Sequence, residues 1–445
     1  MKKNILVLGA GFVARPLVRY LLELPDVCVT VASRTLEKAR NLLANHPHGN
    51  AKTLQVENAE ELSQSVSYAD IVISLLPWVH HIQVAKQCLA HGKHLVTTSY
   101  VKPEMEALDV EVRKKGLLFL NEIGVDPGID HMAAMRVIDR VRKTGGTITR
   151  FYSYCGGLPA PECNNNPFGY KFSWSPLGVM LAAGSEGRYQ KEGKIIEIPA
   201  EKLFQHYWLM DIPGAGIFEA YVNRDALPYK KIYGIESVHS IYRGTLRNVG
   251  HCESWDCFKR LGLLDRNQIF DFSTKTPGKA VAEMIGSDGK DLIADIASFL
   301  NIPEYSVTIK KMQWLGLLDN QPLPLEKASL FDLFAHILQE KLVYGEKETD
   351  MLIQHHEFTA EYPDGKKERI TATMVDKGIP GGDTAMSRTV GLPAAIAVKG
   401  IAEGRISLTG VQRPVMPEIY EPVLTELETL NISLREHREI FSSVP

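Results

Sequence analysis

Over the first 130 residues, short apolar runs rich in β-branched side chains alternate with stretches whose apolar positions recur at helical spacing. That alternation is how a parallel sheet with crossover helices reads. It predicts strands over 5–8, 28–32, 52–56, 71–75, 94–97 and 117–121, and helices over 14–24, 35–44 and 80–90, with Gly92 as a helix stop. A helix over 130–143 is closed by Gly145 and Gly146, and longer strands such as 148–154 follow, broken by Gly, Pro and Asn. Between 251 and 350 strand signals thin out, while 330–342 carries apolar residues at helical spacing, the mark of a helical insertion. Strand patterns return over 351–361 and 368–375, and helical ones over 394–402 and 422–430, so the tail is expected to close against an earlier domain. The predicted class is α/β, with a Rossmann-type doubly wound parallel sheet, a second α/β domain with a mixed sheet, and a helical insertion.

The first turn carries chemistry. Gly9-Ala10-Gly11-Phe12-Val13-Ala14 follows a strand and opens a helix, matching the dinucleotide fingerprint in the context that gives it meaning. Gly9 allows the tight turn, Gly11 lets backbone approach a pyrophosphate, and Ala14 is small enough for the helix to lie on the strand. The pyrophosphate would sit at a helix N-terminus, where free N–H groups and the dipole favour an anion. The structural alternative is a glycine turn without a ligand. The second strand ends Val31-Ala32-Ser33-Arg34-Thr35, with none of the acids that bind the ribose 2′-hydroxyl of NAD. Two hydroxyls flank a guanidinium suited to a 2′-phosphate, which favours NADP. Capping of the next helix by Ser33 or Thr35 is compatible with that role.

Composition narrows the rest. With 445 residues and 44% hydrophobic content, two or three domains are expected. Fifty basic against 53 acidic residues leave a charge of −3, without the basic excess of a nucleic-acid binder. The six cysteines are scattered, with no CxxC pair, which fits a reduced compartment. The apolar run after Met1 is one strand long, unlike a signal peptide, and no apolar run reaches bilayer length. A cytoplasmic protein without a membrane partner is expected. His80-His81 and His355-His356 do not present adjacent rings on one helix face and have no ligand-spaced partners, so no metal is expected. Cys252 and Cys257 with His251 read as incidental.

In doubly wound sheets ligands bind outside the carboxyl ends of the strands. Three segments stand there: Ser74-Leu75-Leu76-Pro77, Thr97-Thr98-Ser99-Tyr100, and Glu122-Ile123-Gly124-Val125-Asp126-Pro127-Gly128. They offer an apolar shelf, a hydroxyl cluster and a carboxylate in a Gly- and Pro-rich turn. For Asp126, the structural alternative is a turn residue capping the following helix.

Several longer runs carry a resemblance. Gly-Phe-Val-Ala at 11–14, Ser-Arg-Thr at 33–35, Asn-Glu-Ile-Gly-Val-Asp-Pro-Gly-Ile-Asp-His at 121–131, Ser-Tyr-Cys-Gly-Gly-Leu-Pro-Ala-Pro-Glu at 153–162, Asn-Pro-Phe-Gly-Tyr-Lys-Phe-Ser-Trp-Ser at 166–175 and Arg-Gly-Thr-Leu-Arg at 243–247 resemble the saccharopine reductase family, the glutamate-forming saccharopine dehydrogenases. The same runs occur in the reductase half of bifunctional lysine-degradation enzymes, so they specify fold and substrate geometry rather than pathway direction. The resemblance implies a Rossmann domain at 1–131 and about 390–445, a substrate-binding and dimerising α/β domain at 132–250 and 351–389, and a helical domain at 251–350. It implies that Gly11, Phe12, Val13, Ala14, Ser33, Arg34, Thr35, Gln55, Val56, Leu76, Thr98, Ser99, Val125, Asp126, Pro127 and Ser175 line NADP. Saccharopine would meet Ser99, Tyr100, Asp126, Arg224, Thr245, Leu246 and Arg247. The family often has an acid where this chain has Gln55, a difference toward the adenine side.

Those substrate positions suit a ligand with three carboxylates and two amines. Arg224 and Arg247 can supply bidentate forks, and Asp126 can accept from a cationic amine. A surface ion pair is the structural alternative for either arginine. The implied reaction joins α-aminoadipate semialdehyde to glutamate, loses water and reduces the imine, with hydride chemistry belonging to the cofactor. Asp126, Tyr100 and Cys155 are the candidate proton-transfer groups, alongside water or the substrate's own amines, and Cys155 also reads as a packed thiol. Two competing readings are a carboxynorspermidine-type reductase acting on a diamine, and an NADP(H)-sensing Rossmann protein without turnover.

Overall fold

A computed structural model describes residues 2–322 and 325–441. Met1 and 442–445, at the ends of the expected first domain, and 323–324 of the expected helical insertion lie outside the described residues. The chain forms two compact units, one comprising residues up to Ile148 together with those from Thr359 onward, the other Thr149–Phe358.

The first unit opens with β1 (Lys3–Leu8), α1 (Ala14–Leu22), β2 (Val27–Ser33), α2 (Leu36–Leu43), β3 (Gly49–Thr53), α3 (Ala59–Ser67), β4 (Ile71–Ser74), α4 (His81–His91) and β5 (His94–Thr97). Then come α5 (Pro103–Glu106), α6 (Asp109–Lys114), β6 (Leu118–Leu120) and α7 (Ile129–Lys143). The third strand forms three residues ahead of its predicted start. At 52–56 apolar residues alternate, but backbone pairing with β2 ends at Thr53, and Leu54 and Val56 turn into the core beyond it. Every strand of this sheet is parallel to its neighbours, and β1 through β6 stand in the order 6-5-4-1-2-3. The chain reverses its winding between β1 and β4, the crevice where such sheets take ligands. Val7, Leu8, Val72 and Ile73 are fully buried, as strands covered by helices on both faces must be.

In the second unit, β7 (Thr147–Pro159, the strand crossing into this unit), α8 (Pro176–Ala182), β8 (Gly187–Lys191), β9 (Lys194–Ile198), β10 (Tyr207–Ile212), β11 (Gly216–Val222), α9 (Tyr229–Ile232) and β12 (Ser240–Arg247) precede α10 (His251–Arg260). The remainder is β13 (Ile269–Asp271), α11 (Pro277–Ile285), α12 (Leu292–Leu300), α13 (Val307–Leu315), β14 (Lys327–Ser329), α14 (Leu330–Lys341) and β15 (Asp350–Glu361), whose last three residues return to the first unit. The sheet is mixed: β11 is antiparallel to both its neighbours, β10 and β12, whereas β12 runs parallel to β7. Four of the insertion's helices start on side-chain caps. Thr276, Asp291, Ser306 and Ser329 each accept the backbone N–H three residues on, worth about 1 kcal/mol apiece. Among its described residues, the insertion's only strands are the short antiparallel pair β13–β14.

The chain then re-enters the first unit with β16 (Lys367–Lys377), α15 (Ala385–Ala402), β17 (Gly410–Gln412), α16 (Pro417–Thr429) and β18 (Arg435–Phe441). The predicted closing of the tail takes this form: β17 extends the parallel sheet beside β6, and α15 lies against the start of α1. The approach is close. A Cβ on Gly391 would stand 2.8 Å from the Val13 carbonyl oxygen, so a glycine at that point lets α15 brace the fingerprint turn. The periodicity located α15 only from 394 because Gly391 and Pro393 read as helix breakers, whereas the structure carries Pro393 inside the helix.

Candidate active site

At the carboxyl end of β1, Gly9 adopts φ +108°, and a Cβ there would meet the Leu75 carbonyl oxygen at 3.1 Å. The turn thus needs glycine for its own geometry. Gly11 is different. Nothing lies within 4 Å of a Cβ placed on it, so its lack of a side chain leaves space in front of α1 rather than relieving a clash. Ala14 is fully buried, Val13 half-buried and Phe12 exposed. Space beside the N-terminus of a nine-residue helix fits a pyrophosphate.

At the end of β2, Ser33 Oγ accepts the Thr35 backbone N–H at 3.2 Å. Thr35 occupies the N-cap position of α2, yet its side chain makes no capping bond. Arg34 is exposed, and no ion pair engages it among the described residues. A guanidinium between two hydroxyls, free of ion pairs among the described residues, fits a 2′-phosphate. Gln55 is exposed just past β3, while Val56 is buried and its carbonyl accepts from Gln83. Leu76, half-buried after β4, packs on the core beneath the sheet edge.

The loop after β6 is laced to the one after β5. Glu122 N–H donates to the Ser99 carbonyl at 3.1 Å and Ile123 N–H to that of Thr97 at 3.4 Å. This brings Thr98, Ser99 and Tyr100 beside the 122–130 turn, and the Tyr100 hydroxyl donates to Asp126 Oδ1 at 2.8 Å. The turn is closed by Gly124 N–H to the Pro127 carbonyl and Asp130 N–H to that of Val125, with a cis Asp126–Pro127 peptide. Gly128, at φ +149°, could carry no side chain, since a Cβ would fall 2.0 Å from the Gly124 carbonyl oxygen. The carboxylate that braces the start of α7 is Asp130, which accepts Gly128 N–H at 2.5 Å. Val125 and Pro127 are buried and Asp126 half-buried.

Beneath this turn lies a charged anchor that sequence reasoning missed. Glu122 is 3% exposed; one oxygen lies 2.8 Å from His131 Nε2, and the other accepts from Val101 N–H at 2.9 Å and Arg413 Nε at 3.0 Å. Burial pushes its pKa up, but the bonds from His131 and the nearby Arg413 guanidinium outweigh that and bring it down to about 2. Nothing in the local spacing marked Glu122 as buried, because its partners come from residues 101, 131 and 413.

In the second unit, Thr245 on β12 stands in register between Cys155 on β7 and Tyr221 on β11, so all three stand on one face of the sheet. Arg247 follows two residues after Thr245 and shares that face. It is buried, with its guanidinium 5.0 Å from the Tyr170 ring centroid, one nitrogen on the Leu246 carbonyl and Nε without a partner. Glu219 sits opposite it in register but spends both carboxylate oxygens on Gly250 and Cys252 N–H at the start of α10, each at 2.7 Å. Burial would lower the Arg247 pKa, but the Tyr221 and Tyr170 phenols raise it. Burial pushes the Tyr221 phenol up to about 12, so it keeps its proton. His251, whose pKa burial drives well down with Arg247 and Lys311 adding to the effect, stacks on Tyr221 with ring planes 7° apart.

Three other expected residues lie apart from this cluster. Leu246 is fully buried on the opposite face. Arg224 is exposed at φ +60° beyond the end of β11, and Asn223 N–H bonds the Arg243 carbonyl. That puts it roughly 15 Å along the sheet from Arg247, at about 3.3 Å per residue. Ser175 caps α8, accepting Gly178 N–H at 3.2 Å. Tyr170, Tyr221 and His251 were missed as members of the face; only Tyr170 fell within a quoted motif.

Comparison with known proteins covers nearly the whole chain. The saccharopine dehydrogenase NADP binding domain matches residues 5–120, and the saccharopine dehydrogenase C-terminal domain matches 124–432. The chain is 38% identical over 443 residues to the saccharopine dehydrogenase [NADP(+), L-glutamate-forming] of Schizosaccharomyces pombe, covering 97% of this chain and 98% of that one. It is 37% identical over 440 residues to the mitochondrial alpha-aminoadipic semialdehyde synthase of Bos taurus, of which it spans 47%. The apo saccharopine dehydrogenase (L-Glu forming) of Saccharomyces cerevisiae superposes with a TM-score of 0.90 at 37% identity, covering 98% of this chain and 100% of that structure.

Proposed function

The chain belongs to the saccharopine dehydrogenase family, and from that membership we propose that it is the NADP-dependent, L-glutamate-forming enzyme. It interconverts L-saccharopine and L-glutamate plus α-aminoadipate 6-semialdehyde, a step of lysine metabolism. The observation that carries this reading is the correspondence with the fission-yeast enzyme over nearly the full length of both chains, since a shared nucleotide fold alone would match only the first 120 residues.

The dinucleotide supplies the hydride donor and acceptor for the C–N bond. The chain's own residues bind and orient. The space at Gly11 and the α1 N-terminus receive the pyrophosphate, and Arg34 with Ser33 and Thr35 the 2′-phosphate. Gln55, Val56, Leu76, Thr98, Ser99, Val125, Pro127 and Ser175 are proposed as further cofactor contacts. Asp126, held by the Tyr100 hydroxyl, accepts from the substrate's amine. Arg247 offers a carboxylate fork from beside Tyr170, and Thr245 and Cys155 share its face. Leu246 and Arg224 enter through their backbone and an exposed side chain respectively. Proton transfer is proposed for Asp126, Tyr100 and Cys155.

The diamine reading is disfavoured by Arg247, because a buried guanidinium without an acidic partner among the described residues calls for an anion. NADPH oxidation with semialdehyde plus glutamate, against semialdehyde plus a diamine, tests the assignment. Turnover with glutamate alone is expected; turnover with the diamine, or with neither, would sink it. We further propose a cytoplasmic homodimer. The six cysteines form no disulfide among the described residues, which supports a reduced compartment, and no helix there is long and apolar enough to cross a membrane.

A further inference from the structure

His81 opens α4 directly behind the strand ends of the first unit, and it is one of the paired histidines that the reaction as proposed leaves without a role. Its ring is buried among three hydroxyls. Nδ1 stands 2.9 Å from Ser74 Oγ at the end of β4, while Nε2 stands 2.8 Å from Ser99 Oγ and 3.2 Å from Thr97 Oγ1 at the end of β5. Thr97 Oγ1 in turn accepts the Ser99 backbone N–H at 3.2 Å. Ser74 and Thr97 are buried, whereas Ser99 is half-exposed, so of the three only Ser99 can also reach a ligand. Burial, with His80 beside it, lowers the His81 pKa to about 4, which keeps the ring neutral at physiological pH. A neutral imidazole between fixed hydroxyls orients the one that faces outward, because a serine rotor otherwise samples three wells.

We propose that His81 is a positioning residue, clamping the Ser99 hydroxyl through Nε2 in the orientation that hydrogen-bonds the bound ligand. The assignment rests on the reading of Ser99 as a ligand contact. It differs from a packing role in naming one ring atom and one recipient. Nothing in it calls for proton transfer by the ring itself.

A double-mutant cycle on the full chain tests it, with kcat and KM for saccharopine and NADPH affinity by fluorescence for each variant. Ser99→Ala and His81→Leu are each expected to lower kcat/KM about tenfold, the scale of one lost hydrogen bond, and the double variant to fall no further. Independent losses multiplying to about a hundredfold would overturn the proposal while leaving Ser99 as a contact. If Ser99→Ala alone changed neither kcat/KM nor NADPH affinity, the contact itself would be gone and the proposal with it. Should His81→Leu not fold, the amide variants decide. A glutamine nitrogen or oxygen reaches the Nε2 position and an asparagine one only Nδ1, so His81→Gln is expected to retain activity that His81→Asn loses, at matched melting temperatures. Equal activity of the two would reject the role.

Discussion

Arg247 and Tyr170 are stacked inside the second unit, the guanidinium carbon 5.0 Å from the ring centroid, with no carboxylate paired to the cation among the described residues. A buried charge so placed costs stability, and replacing it with an apolar residue of similar volume is often neutral or favourable. Arg247→Leu is therefore expected to leave the melting temperature level or raised while lowering kcat/KM for saccharopine roughly 10- to 100-fold, the range for a hydrogen bond to a charged group. Calorimetry alongside steady-state kinetics checks both halves. A less stable variant with unchanged kinetics would make Arg247 a structural cation.

The two fingerprint glycines separate fold from ligand. Gly9→Ala is strained at φ +108° and crowds the Leu75 backbone, so it should destabilise by about 1–3 kcal/mol. Gly11→Ala meets no protein atom within 4 Å, so stability should hold within about 0.5 kcal/mol while NADPH binding weakens by an order of magnitude or more. Denaturant melts and NADPH titration measure the two effects; a Gly11→Ala protein that binds as tightly as the parent would place the pyrophosphate elsewhere.

Arg34→Asp places a like charge before the 2′-phosphate. The ratio of NADPH to NADH affinity should drop roughly 10- to 100-fold, with little change in stability at this exposed site. Titration with both cofactors reads it directly, and an unmoved ratio contradicts the assignment.

Glu122 makes the first unit acid-sensitive in a defined window. Its pKa falls from 4.5 in the unfolded chain to about 2 in the folded one, so the unfolded state takes up the proton first as pH falls. The contribution, on the order of 3 kcal/mol, is complete above about pH 5 and lost progressively between there and pH 2. Glu122→Gln should be less stable at neutral pH by about 3–5 kcal/mol, since it leaves His131 and Arg413 facing a neutral amide, and it should lack this slope. Urea melts across pH 2–7 compare the two; parallel curves would refute the anchor.

The sheet, its winding and the cofactor edge were legible in the sequence because each rests on neighbours in the chain. Val7 and Leu8 before Gly9, and Ala32 before Ser33, report local periodicity and a local turn, and the absence of an acid after β2 is visible without coordinates. Asp126, Tyr100, Arg247 and Cys155 were named from motifs that keep their residues in order. What the motifs could not convey is who pairs with whom. Arg413 reaches Glu122 across 291 positions, and Ser74, His81 and Ser99 join three consecutive elements only once β4 and β5 lie side by side. Tyr221 and Cys155 flank Thr245 from either side through strand register alone, and the same register leaves Arg224 and Arg247 at different ends of β12. Side-chain direction and burial are set by contacts far apart in sequence, and those contacts exist only after the chain has folded. Local pattern could therefore specify the elements and their chemistry, while tertiary packing decided which groups are desolvated, charged and aimed together.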